Sequence, residues 1–220
     1  MKTVLFASRK GGSGKTTLLA HLAVQAMTSG EDVTIVDLDP QQNLKAWWDA
    51  RPQDALKLAQ FPVAEVADRL AAVRDKPGVL LIDTPGFEAA EMQPLLDAVD
   101  FVVIPVQPTP NDLRAVGRTL QAVRSVGREH FCFVVTRGVH GTKLTLQTPL
   151  VLSQHGPVAT TIVFNRVDYA GAMADGRTIQ EVDPKGKGAE EMDHLWAYVR
   201  GRMSGESTHS NPPVKAAVHV

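Results

Sequence analysis

The chain has too few of several residues to build some common kinds of site. One cysteine in 220 residues, Cys132, rules out an internal disulfide framework and any cluster held by paired cysteines. Cys132 lies in "FCFVV", an apolar run that reads as a buried strand, where a thiol packs rather than attacks. Such cysteine usage fits a reducing cytosol. The seven histidines are scattered with no pair at metal-ligand spacing, which argues against a structural zinc site. No apolar stretch approaches the roughly 18 residues of a membrane span. The opening "MKTVLFASRK" has too short an apolar run for a signal peptide. Net charge is also nearly absent, at -1. That balance hides an asymmetry: residues 1–110 hold 10 basic and 14 acidic side chains, and residues 111–204 hold 12 and 9. A basic face in the second half and an ordinary solvated surface both fit that difference.

What the chain does have is 44% apolar residues, enough to bury a full core at this length. They fall into short β-branched runs: residues 3–7, 33–37, 79–83, 101–105, 131–136 and 159–164. Most are continuously apolar, as in parallel strands covered by helices on both faces. Between the first two runs, Leu18, Leu19, Leu22, Ala23, Ala26 and Met27 make one face of a helix, and Gly30 is placed to end it. Further helices are expected near 63–75, 89–98, 111–126, 142–155 and 187–202, with Pro149 starting or kinking the fourth of these. The expected architecture is α/β: a three-layer sandwich with a mostly parallel twisted sheet of about seven strands. One domain is expected over residues 1–203, and the polar tail 204–220 reads as disordered. Trp47 and Trp48 read as helix packing, with a dimer or partner contact as the other possibility.

The chemistry concentrates in "SRKGGSGKTT", residues 8–17. A glycine-rich loop between a strand and a helix points its amides inward and cradles phosphate oxygens, aided by the helix N-terminus. Gly11, Gly12, Ser13, Gly14, Lys15, Thr16 and Thr17 form this nucleotide-binding set. Lys15 is placed for the β- and γ-phosphates of ATP or ADP, and the Thr16 hydroxyl for Mg²⁺. A phosphate loop needs one lysine. This chain has a second, Lys10, directly before the first glycine of the loop.

"KGGSGKTT" resembles the deviant Walker A motif of the ParA/MinD family of ATPases. The resemblance implies that Lys10 reaches across a dimer interface to the partner's ATP, making Lys10, Lys15 and Asp39 the catalytic set. "VDLDPQ" (36–41) and "VLLIDTPG" (79–86) match two further family segments. By that match, Asp39 is required for hydrolysis, Asp37 and Asp83 act on Mg²⁺ through water, and Thr84-Pro85-Gly86 senses the γ-phosphate. "FVVIPVQPTPNDLRAVG" and "FVVTRGVHGTKL" resemble the loops flanking adenine, which makes Pro108, Thr109, Thr136 and Arg137 candidates there. Size and layout look like the short ParF-like branch of plasmid-partition ATPases, which has no operator-binding helix-turn-helix of its own.

Within that family the likeness implies a weak ATPase that forms a nucleotide-dependent homodimer. The dimer binds nonspecific DNA through basic residues, here Lys143, Arg166, Arg177, Lys185 and Lys187, each of which could equally be a solvated surface residue. A centromere-binding, ParB-like partner then stimulates hydrolysis. The last helix opens with acids and the tail is polar, so no membrane attachment is expected and the chain should associate with the bacterial nucleoid. A plasmid is the expected cargo; a chromosome origin, a chemoreceptor cluster or a carboxysome would use the same core. The competing readings are a MinD-like membrane-associated division regulator and a metabolic P-loop enzyme such as dethiobiotin synthetase. A metal-cluster carrier is excluded by the single cysteine.

Overall fold

A computed structural model describes residues 1–52, 55–86, 89–125 and 130–205. In chain order its elements are β1 (Lys2–Phe6), α1 (Lys15–Thr28), β2 (Val33–Asp37), α2 (Asn43–Asp49), β3 (Lys57–Ala59), α3 (Val66–Val73), β4 (Val79–Asp83), α4 (Ala89–Ala98), β5 (Phe101–Val106), α5 (Pro110–Ser125), β6 (Phe131–Val135), α6 (Lys143–Ser153), α7 (Val167–Met173), α8 (Ile179–Val182) and α9 (Lys187–Met203). The six strands form one sheet in the order β3-β2-β4-β1-β5-β6, and every pairing is parallel.

The apolar runs become strands because the pleat sends successive side chains to opposite faces. Val4 and Phe6 join one core with residues of α1 and α9, including Leu22, Trp196 and Val199. Leu5 and Ala7 join the other, with Leu70, Leu96, Leu120 and Leu152 from α3, α4, α5 and α6. Both faces are therefore covered, which gives the three layers. Gly30 follows α1 with φ +90 and bonds back to Met27 O at 2.9 Å, the stop that its position suggested. Both tryptophans of "WW" are anchored: Trp47 Nε1 donates to Arg177 O at 3.1 Å and Trp48 Nε1 to Leu56 O at 3.0 Å.

One expectation is corrected. The described sheet has six strands rather than about seven, because residues 159–164 make no continuous ladder. They run beside β6, with Ala159 N bonded to Phe133 O and Val163 N to Val135 O, but only isolated bridges join them to it, at Phe133–Val158 and Gly138–Phe164. Pro157 at the head of this stretch has no N–H to give to a ladder. Of the two roles offered to Pro149, it does not start α6 but lies inside it, where a proline interrupts the helical hydrogen bonding. The tail from residue 206 lies outside the described residues.

One buried side chain makes this core sensitive to acid. His21 on α1 is fully buried; its Nδ1 lies 2.8 Å from Thr17 O and so carries the proton, and Nε2 has no partner. Its ring meets Tyr169 edge-on, with centroids 4.9 Å apart. Burial holds its pKa down to about 4 from 6.5. The unfolded chain takes up this proton first as pH falls, so the stabilisation is complete above about 6.5 and is lost toward pH 4. The loss should approach about 3 kcal/mol. Urea unfolding at pH 7 and pH 4.5 checks this: the wild type should lose more stability than His21→Gln, and equal losses would remove His21 from the account.

Candidate nucleotide site

The site is built where β1 gives way to α1, at the carboxyl edge of the sheet. Gly14 stands before the helix with φ 93 and ψ 16, and Gly12 has φ +75; a Cβ would strain both positions. No side chain caps α1, so its first amides have no intrahelical partner and suit an anion. The loop's carbonyls are held from outside. Thr136 Oγ1, just past β6, donates to Ser13 O at 2.9 Å, and Gln107 Nε2, just past β5, donates to Gly12 O at 2.5 Å. Gly86 lies against the same loop, where a Cβ would stand 2.9 Å from Arg9 O. Thr84, in the same segment, donates to Phe6 O at 2.7 Å.

Charge is arranged around this cradle. Lys15 is buried, and desolvation lowers its pKa against the opposing pull of Asp83 and Asp39. Asp83 is fully buried at the end of β4, and its Oδ2 accepts from Thr16 Oγ1 at 2.5 Å. Its Oδ1 is buried with no partner among the described residues. Desolvation pushes its pKa up to about 7, against the opposing pull of the Thr16 hydroxyl and Lys15. The register sets Asp37 directly beside Asp83. Asp37 Oδ1 accepts from Asp39 N at 3.0 Å and Oδ2 from Lys45 N at 2.9 Å. Asp37 thus shapes the loop that presents Asp39, a role the motif alone did not show. No group of three or more His, Cys, Asp or Glu able to hold a metal occurs among the described residues. One hydroxyl and a carboxylate with an orphaned oxygen instead fit Mg²⁺ carried in with phosphates and water.

Beside Gly14 and Thr17 opens a cleft of base-binding size, walled by Arg137, Phe164, Asn165 and Tyr169. Of the residues expected near adenine, Thr136 and Arg137 line it, although the Thr136 hydroxyl is committed to the phosphate loop. Pro108 and Thr109 do not line it; Thr109 instead turns its hydroxyl to Asp112 on α5. The far wall depends on Glu191 of α9, which sequence reasoning missed. Its carboxylate accepts from Phe164 N at 3.1 Å and from Arg166 Nη2 at 2.6 Å, and lies 2.8 Å from the Tyr169 hydroxyl. Nothing local in the sequence announces this convergence.

The sequence profile of the CobQ/CobB/MinD/ParA nucleotide binding domain matches residues 4–179. The chain belongs to this family. Over 202 residues this ParA/MinD-type protein is 28% identical to "Maintenance of carboxysome distribution protein A" of Halothiobacillus neapolitanus, covering 86% of this chain and 91% of that one. It is 26% identical over 238 residues to "Sporulation initiation inhibitor protein Soj" of Bacillus subtilis, covering 86% and 94%. Among solved structures, an McdA variant of Cyanothece in complex with ATP superposes with a TM-score of 0.71 at 16% identity, covering 93% of this chain and 96% of that one; that likeness concerns the fold.

Most of the basic residues singled out in the ParA/MinD-type sequence lie beside acids. Arg166 is held by Glu191, Arg177 pairs with Asp175 at 2.6 Å, and Lys187 pairs with Glu190 at 2.8 Å. Lys185 lines a separate cleft with Glu190 and Asp193. Lys143 is exposed at the start of α6. Lys10 meets neither Lys15 nor the carboxylates around it; its ammonium lies 2.7 Å from Asp112.

Proposed function

We propose that the chain is an ATP-driven partition switch, folded as one domain over residues 1–203 and working in the cytoplasm on nucleoid DNA. The observation that carries the reading is Lys10, a second loop lysine engaged outside its own phosphate cradle and 43% exposed at its side chain. A cation so placed is available to a partner's nucleotide. Two protomers that sandwich two triphosphates bring many anionic oxygens together, and one lysine from each side offsets that charge. The dimer contact then depends on the γ-phosphate, and hydrolysis opens it.

Within each protomer the loop amides and Lys15 bind the phosphates. Thr16 would hold Mg²⁺, with Asp37 and Asp83 acting on it through water, and the ion would supply charge neutralisation at the phosphates. Asp39 orients the attacking water. A dimer presents each exposed cation twice, Lys143 among them, so DNA binding rises with ATP occupancy. A cargo-bound partner protein stimulates hydrolysis and releases the dimer. The relative named for maintenance of carboxysome distribution supports cargo positioning as the class of task. Plasmid, chromosome or protein-shell cargo would all use this cycle.

The test is binding to nonspecific duplex DNA with ATP, with ADP and without nucleotide, over a salt series. Wild type with ATP should bind, with affinity falling about tenfold or more between 50 and 200 mM salt. ADP and Lys10→Ala samples should not bind. Hydrolysis without DNA binding in any state would retain the nucleotide site and overturn the DNA reading. Binding to anionic vesicles in place of DNA would move the chain to the membrane-associated class.

A further inference from the structure

Lys10 and Asp112 are 102 residues apart in sequence, and the fold joins them at 2.7 Å. The carboxylate is 4% exposed against 43% for the lysine side chain. It is also oriented from a second side. Thr109 donates its hydroxyl to the same Asp112 oxygen, and Asp112 N donates back to Thr109 Oγ1 at 3.1 Å. This closes a hydroxyl turn at the start of α5. The lysine's backbone is tethered as well, with Lys10 N donating to Ser8 Oγ at 3.3 Å. Two residues before Thr109, Gln107 holds Gly12 O. The β5–α5 junction therefore grips the phosphate loop by a carbonyl and its extra lysine by the ammonium.

We infer that Asp112 is the positioning residue for Lys10, holding it in its own protomer until a second nucleotide-loaded copy competes for it. The inference rests on the reading that Lys10 acts across a dimer. Its physical basis is the asymmetry of burial. When Lys10 leaves, a nearly inaccessible carboxylate keeps only the Thr109 hydroxyl and the helix N-terminus as partners. Both protomers bear this cost, so it enters the dimer equilibrium twice. One bound nucleotide cannot recruit the lysine of a solitary chain; two loaded copies can, because each lysine gains a triphosphate. After hydrolysis Asp112 recaptures the lysine and opposes re-association of the ADP forms. Asp112 touches no nucleotide in this scheme and works only through Lys10.

The experiment is analytical ultracentrifugation of the full chain with Mg²⁺ and AMPPNP, which removes hydrolysis from the comparison. Asp112→Asn keeps the shape and the Thr109 bond and deletes the charge. It should lower the protein concentration for half-dimerisation by at least about tenfold. Lys10→Ala should prevent dimerisation, and the Lys10→Ala, Asp112→Asn double variant should behave like Lys10→Ala. A merely structural ion pair predicts the opposite sign, a weaker dimer and a lower Tm. Asp112→Asn with unchanged Tm and AMPPNP affinity but equal or weaker dimerisation overturns the inference and leaves the dimer reading standing. A wild type that stays monomeric, or a Lys10→Ala chain that dimerises as well as wild type, overturns the dimer reading and this inference with it. Should Asp112→Asn fold poorly, Thr109→Val decides. It loosens the same carboxylate and should strengthen dimerisation by a smaller factor; no strengthening counts against the inference.

Discussion

Lys15→Gln is expected to weaken binding of Mg·ATP by about a hundredfold, with the apo chain unfolding within about 1 kcal/mol of wild type. The first figure follows from the charge around the loop. Lys15 is buried beside Asp39 and Asp83, and Asp37 adjoins Asp83 in the sheet. Lys10 is turned away to Asp112. Removing Lys15 brings the phosphates toward three carboxylates with no lysine among them. A charge-assisted bond is worth about 1.5–3 kcal/mol, and the upper end of that range is about two decades in Kd. The second figure follows from desolvation. The buried ammonium loses in hydration much of what it gains from the carboxylates, so its loss should not unfold the chain. Calorimetric titration with ATP and a thermal melt without it measure the two separately. A variant that binds ATP as wild type does would mean that the loop amides alone hold the nucleotide.

Gly176→Ala should destabilise the fold by more than about 3 kcal/mol. Gly176 lies at φ +80, and a Cβ there would stand 2.3 Å from Arg51 N and 2.4 Å from Ala50 C. The obstacle is backbone, which cannot rotate aside as a side chain can. The left-handed conformation alone costs a non-glycine residue about 1–2 kcal/mol, and the rest comes from parting two packed segments. What they would part is a tight joint. Arg51 Nη1 donates to Gly176 O at 2.7 Å, its Nη2 lies 2.8 Å from Glu181 Oε1, and its guanidinium sits 4.9 Å from the centre of the Trp47 ring. Gly117→Ala is the contrasting change. Gly117 is exposed within α5 and its Cβ would meet nothing within 4 Å. There the better helix former should stabilise by roughly 0.5–1 kcal/mol. Urea unfolding of the two variants should therefore move in opposite directions, and movement of both the same way would count against this account.

The parts of the fold written in local pattern were legible in the sequence. Each central strand is an apolar run with a helix-length interval after it, and the phosphate loop declared itself by glycine spacing. β3 escaped because it is three residues long at the sheet edge, with Lys57 exposed; its existence depends on β2 beside it. α2, α7 and α8 are too short, at seven, seven and four residues, to show a helical period. Residues 159–164 have the composition of a strand and do lie beside β6, yet composition cannot reveal that the ladder breaks. In the site, Lys15, Thr16 and Asp83 were readable as motif residues. Glu191 and Asp112 were not, because each acts through a partner far away in the chain: Arg166 and Tyr169 for one, Lys10 for the other.

The anchoring of the phosphate loop by Thr136 and Gln107 has a consequence for the timing of the cycle. Those two side chains stand just past the ends of β6 and β5, an edge and a central strand of the sheet. A loop fixed from behind has little conformational entropy left to surrender when phosphate arrives. Nucleotide capture then needs no ordering step in the loop, and departure needs no melting of it. In the proposed dimer cycle the slow events would then fall to the surfaces that two protomers bring together, and the lifetime of each state would be set by association and separation rather than by the pocket.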